Sequence, residues 1–138
     1  MAKKIIMAVI GVFVAWMILD YVIHEVILSG AYEQTKEMWR AEMKNGLMVI
    51  VSILSALFFV LLYALLVENK GTATGIKFGL LFGLATGISM GYGTYSVMPI
   101  PYGMAFTWFL GSVVEATVAG WLMGMIFKEK KAKEAPAA

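Results

Sequence analysis

The 138-residue chain is 61% hydrophobic and only 14% charged, where a soluble domain carries roughly 45–50% and about 25%. What is missing is water-facing surface, so the composition excludes an ordinary soluble domain and leaves an integral membrane protein. A net charge of +2 is no footprint for nucleic acid. With no cysteine, a disulfide, a thiolate metal site and a c-type haem attachment are excluded as well.

Four long apolar stretches, Ile5 to Leu28, Gly46 to Val67, Ile76 to Met98 and Tyr102 to Phe127, each reach the ~20 residues needed to cross ~30 Å of hydrocarbon. They predict an all-α, membrane-spanning four-helix bundle forming one transmembrane domain over residues 1–138. Lys3 and Lys4 before the first stretch match the start of a signal peptide. The stretch is too long for one and no small-x-small cleavage site follows, so the first helix is expected to stay.

The first span carries Asp20, His24 and Glu25 in its second half. An ionised side chain at the bilayer centre costs ~2.5–3.5 kcal/mol on insertion scales, so such groups need partners. Trp16, Asp20 and His24 recur at four residues and share a helix face, while Glu25 points about 100° away from His24. His24-Glu25 is half of the H-E-x-x-H zinc motif, but position 28 is Leu and the chain has no other histidine.

The loop from Ser29 to Asn45 predicts a short interfacial helix between the first and second spans. Tyr32, Trp39 and Met43 form its apolar side, and Glu33, Lys36, Glu37 and Arg40 its polar side. Trp39 and Arg40 are its expected headgroup anchors, with Lys36 or Arg40 available to neutralise Glu25.

The second span has only Ser52, Ser55 and Tyr63 as polar groups and predicts a largely passive, lipid-facing helix. In the third, Gly71, Gly75, Gly79, Gly83, Gly87 and Gly91 fall every four residues. Glycine weakens a helix, so its repetition predicts close backbone approach to a neighbour. Ser112, Ala116, Gly120 and Gly124 form a matching stripe in the fourth span, and Pro99-Ile100-Pro101 joins the two as a tight antiparallel hairpin. A stripe with a spacing of four drifts by about 40° per step on an ideal helix. Part of it is therefore expected to face another helix or a second copy of the chain.

Glu115 lies near the middle of the fourth span. With Asp20 and His24 it forms a candidate intramembrane polar cluster, to which Glu25, Ser89 and Tyr92 are possible additions. Three readings stay open: a buried network fixing helix register, a proton or cation path, or a bound metal or cofactor. His24 is the one weak metal candidate, and Met90, Met98 and Met104 are better explained by packing than by copper. No catalytic or phosphate-binding motif falls in a loop able to host it, so neither an enzyme nor a cofactor is expected.

Lys3, Lys4, Lys70, Lys77, Lys128, Lys130, Lys131 and Lys133 lie on the side of the termini, against Lys36, Arg40 and Lys44 on the other. That bias predicts cytoplasmic termini, with residues 128–138 as a mobile basic tail.

D-x-x-x-H-x-x-x-L from Asp20 to Leu28, Y-E-Q-T-x-x-x-W-R from Tyr32 to Arg40, the glycine-spaced third helix, P-I-P, and W-F-x-G-x-x-x-E-x-x-x-A-G from Trp108 to Gly120 together resemble a family of small four-helix bacterial inner-membrane proteins. The resemblance implies the fold and the location, and no activity. Two functions are expected from the residues. The first is association, as a homo-oligomer or an accessory subunit of a membrane complex, motivated by the glycine stripes. The second is a small proton-coupled or cation-conducting transporter using Asp20, His24 and Glu115.

Overall fold

The computed structural model describes residues 1–128; apart from Lys128, the basic tail lies outside the described residues. Among those residues the chain is all helix and turn. Helix α1 (Ala2–Asp20) continues as a π-helical segment, Tyr21–Ile27. Short α2 (Ser29–Gln34) follows, then a single 3-10 turn (Lys36–Met38) and α3 (Asn45–Leu66). Next, α4 (Thr72–Ile88) runs through a second π segment (Ser89–Gly93) into α5 (Thr94–Val97). Last comes α6 (Tyr102–Phe127).

Four helices, Ala2–Ile27, Asn45–Leu66, Thr72–Val97 and Tyr102–Phe127, are long and apolar enough to cross a bilayer. Among the described residues no polar or charged residue is fully buried, whereas large side chains such as Leu66, Leu81 and Ile10 face outward. An apolar exterior of this extent suits lipid rather than water.

The closest packing joins the third and fourth spans. A Cβ placed on Gly75, Gly79, Gly83, Gly87 or Gly91 would collide in turn with Gly120, Ala116, Val113, Phe109 and Ala105 of α6. Both helices advance by about four residues per step, so one stripe tracks the other along its length. The expected drift onto a second partner is therefore not seen for these five glycines. A π turn holds more residues than an α turn, so the segment Ser89–Gly93 opposes the drift and keeps Gly91, which is buried, in line. Gly71, by contrast, would meet nothing within 4 Å.

The second span is less passive than its composition predicts. Its residues from Asn45 to Ser55 lie uncovered apart from a half-buried Ser52, but Ala56, Phe59, Val60, Tyr63 and Ala64 are buried against Ala8 and Val12 of α1 and Ala119 and Met123 of α6. Phe59 meets Trp16, Phe78 and Phe82 edge-on or tilted, with ring centroids 4.8–5.4 Å apart. The bundle is thus sealed by aromatic and small side chains at the end carrying the termini. At the loop end α3 stands apart.

The Tyr63 hydroxyl donates to the Gly71 carbonyl at 3.1 Å and accepts the Gly71 N–H at 3.2 Å. Gly71 is the residue on which α4 begins, so this one hydroxyl pins the turn between the second and third spans. Tyr63→Phe is expected to cost about 1–2 kcal/mol, measured as a lower midpoint of unfolding in a detergent titration.

Candidate functional site

The fourth span places Glu115 at its middle, and the first span reaches it because Gly111, one turn away, leaves room for Ile23. A Cβ at Gly111 would come within 2.9 Å of the Ile23 side chain. Trp16 fixes the level of the two helices by donating its indole N–H to the Glu115 backbone carbonyl at 2.9 Å. One turn along α1, the Asp20 carboxyl lies close enough to Glu115 to interact with it. Glu115 Oε1 is buried and accepts no hydrogen bond.

From Asp20 the polar groups continue toward the loop end. Asp20 Oδ1 lies 3.7 Å from His24 Nε2, and His24 Nδ1 lies 2.6 Å from the Tyr32 hydroxyl. Trp108 then donates its indole N–H to the same hydroxyl at 3.0 Å. At 3.7 Å the Asp20–His24 contact is electrostatic and not a hydrogen bond, whereas the 2.6 Å contact between Nδ1 and Tyr32 is one, its donor set by the ring tautomer.

Tyr32 sits in this line because α2 folds back over the loop end. Leu28, at φ −96° and ψ 0°, turns the chain out of the π segment. Ile23, Leu28, Ile100, Met104 and Ala105 form a second buried cluster, with Tyr32, Met38, Trp39 and Trp108 packed on it. The Trp39 ring stands edge-on to both Tyr32 and Trp108, at 5.5 and 6.2 Å.

Several expectations are corrected here. The segment from Ser29 to Asn45 is not one interfacial helix. The Thr35 hydroxyl donates to the Ala31 carbonyl and accepts the Trp39 indole N–H at 2.9 Å, and the backbone is extended at Trp39. Trp39 is half-buried and packs inward on Tyr32 and Trp108, while Arg40 and Met43 stay exposed. Lys36 pairs with Glu33 at 3.2 Å and not with Glu25; among the described residues Glu25 has no ion-pair partner. Ser89 is exposed. Tyr92 meets the Tyr102 hydroxyl at 3.1 Å and joins Tyr95, Tyr102 and Phe109 in an aromatic group outside the polar line.

Asp20, His24 and Glu115 are brought together as a line and not as a cage. Among the described residues no three His, Asp or Glu side chains converge as metal ligands do. Tyr32, Thr35 and Trp108 are the members that reasoning on ionisable groups passed over. All three stand in the motifs from Tyr32 to Arg40 and from Trp108 to Gly120.

Tyr32 lies outside the four long helices. Burial pushes its hydroxyl above the ordinary value of 10.0; the Trp108 N–H opposes this, and the charges of Asp20 and Glu25 add to it. It therefore holds its proton, and remains a donor, throughout the neutral range. A folded value above the unfolded one gives stability that is present below pH 10 and lost as pH rises through the folded value. The phenolate absorbance that distinguishes wild type from Tyr32→Phe is expected only above pH 10, together with a fall in the unfolding midpoint.

Compared with known families, curated proteins and solved structures, the chain matches none.

Proposed function

We propose that the chain is a small proton-coupled transporter of the bacterial inner membrane, with both termini in the cytoplasm. Asp20, His24 and Glu115 are its proton-handling groups, reached from the loop side. The observation that carries this reading is the run of neighbouring polar groups from Glu115 through Asp20 and His24 to Tyr32. Glu115 sits at the midpoint of α6, and Asp20 and His24 stand four and eight residues beyond Trp16, the residue at the same level. At 1.5 Å per residue those groups lie about 6 and 12 Å toward the loop end. Beyond Glu115 the bundle is closed by Ala8, Val12, Phe59, Tyr63 and Met123. The polar groups thus run from the middle of the bundle toward its loop end, where the Asp20 and His24 side chains are 41% and 39% exposed. The lysine bias toward the termini supports the orientation.

The test is proton flux in proteoliposomes under an imposed pH gradient. Wild type is expected to carry flux that Asp20→Asn and Glu115→Gln each remove. Flux that is absent in wild type, or unchanged by both substitutions, refutes the reading.

Association with a second copy or a larger membrane complex is the second reading. The glycine face from Gly75 to Gly91 is occupied within the chain, so its support comes instead from the first span, where Ala8, Val12 and Ile23 are the only buried residues. Native mass spectrometry from mild detergent, giving monomer alone, counts against it.

A further inference from the structure

Helix α3 lies against the first span only as far out as Trp16. There the Trp16 and Phe59 rings meet at 5.4 Å, and Phe59 also packs on Phe82 of the third span. Beyond that level the two spans part. The residues of α3 from Asn45 to Ser55 are uncovered apart from half-buried Ser52, and the π segment Tyr21–Ile27 packs on α6 and α2 instead.

The first and second spans run antiparallel, so Asp20 and His24 follow Trp16 outward while Ser55 and Ser52 follow Phe59. Asp20 and Ser55 each stand one turn past the aromatic contact, about 6 Å, and Ser52 about 10 Å. Each continues the helix face that is packed one turn earlier. A cleft therefore opens between α1 and α3 at the loop end. Its base is aromatic, one wall carries the half-exposed Asp20 and His24, and the other is aliphatic apart from two serine hydroxyls.

We propose that this cleft binds a lipophilic organic cation, entered sideways from the lipid, and that such a cation is the substrate exchanged for protons at Asp20 and Glu115. Charge comes first. From Glu115 outward the spans hold Asp20, Glu25 and Glu115 and no lysine or arginine; Lys3, Lys4 and Lys77 lie at the other end. Lys44 precedes Ser55 by eleven residues, about 16 Å along the helix. A phosphate or carboxylate would meet like charge in the cleft, and a cation the opposite one.

The form of the cation follows from the walls. A metal ion needs several ligands around one point, and among the described residues no three His, Asp or Glu side chains converge. A charge spread over an organic molecule needs no such cage. A carboxylate on one side and ring faces below it, here Trp16 and Phe59, are enough. Behind Asp20, Glu115 Oε1 is buried and accepts no hydrogen bond. A buried acceptor left unmatched is costly, and a positive charge at the base of the cleft relieves it.

The inference rests on the transport reading and names its substrate class. Full-length protein in lipid nanodiscs is titrated with tetraphenylphosphonium, whose charge is fixed, and binding is read by equilibrium dialysis. Tetraphenylborate, with the same four rings and the opposite charge, is the control for partition into lipid. Wild type is expected to bind the phosphonium saturably and the borate only by partition. Asp20→Asn is expected to weaken binding by about tenfold or more. Ser55→Trp fills the cleft from an exposed position and leaves the carboxylates in place, with a similar loss expected. Leu54→Trp, on the side of α3 turned away from the bundle, is expected to change nothing.

No saturable binding to wild type, which leaves the cleft to acyl chains or to a second copy, overturns the site. So does equal binding of the borate, or binding indifferent to Ser55→Trp. That variant decides the matter if Asp20→Asn lowers the unfolding midpoint. Saturable binding of the phosphonium without proton flux overturns the transport reading alone. Flux that needs Asp20, with no phosphonium bound, overturns the substrate class alone.

Discussion

Leucine at position 79 is expected to part the third span from the fourth. A Cβ at Gly79 already falls on the Ala116 carbonyl, with Thr117 Cα 2.9 Å away, and these are backbone atoms that no rotamer change can move aside. Even Gly79→Ala therefore forces the two helices apart, at a cost of about 1–3 kcal/mol. Leucine adds three more carbons in the same direction and is expected to exceed that range. In lipid the loss is not recovered by burial elsewhere, because close packing, and not exclusion from water, holds helices together there. The measurement is the midpoint of unfolding in a denaturing-detergent titration. Gly11→Ala is the control: nothing lies within 4 Å of its Cβ position, so the better helix former is expected to gain up to about 1 kcal/mol. Equal responses at positions 11 and 79 refute this account of the stripe.

The stripe was legible because a spacing of four in an apolar helix has few explanations. Its destination was not. Drift on an ideal helix predicts a second partner, and the π segment that opposes this at Gly91 leaves no mark in composition. The ionisable groups were legible for a similar reason, since Asp20, His24 and Glu115 are costly in an apolar span and must find partners. Tyr32 and Trp108 were not, because an aromatic residue that donates or accepts one hydrogen bond looks in sequence like one that only packs. The loop misled most. The spacing of Tyr32, Trp39 and Met43 fits a helix face, but the Thr35 side chain turns back on Ala31 and takes the Trp39 N–H. Packing of Trp39 on Tyr32 and Trp108 then overrides the period.

Asp20→Asn and Glu115→Gln are expected to lower proton flux by about tenfold or more each, since ~1.4 kcal/mol on the limiting barrier is enough for a factor of ten. The double variant is expected to be no worse than the poorer single one. The two groups stand in series, so a break at either point stops the same proton. Effects of residues that act as a unit do not add, whereas independent contributions to helix register would. A purely structural network makes the opposite forecast: each substitution lowers the unfolding midpoint, and flux follows the fraction folded. Tyr63→Phe separates the two cases. Its hydroxyl lies at the other end of the bundle and bonds only to Gly71, so it is expected to lower stability and leave flux per folded molecule unchanged. Flux in all these variants that simply tracks stability would reduce Asp20, His24 and Glu115 to the fastening between the first and fourth spans.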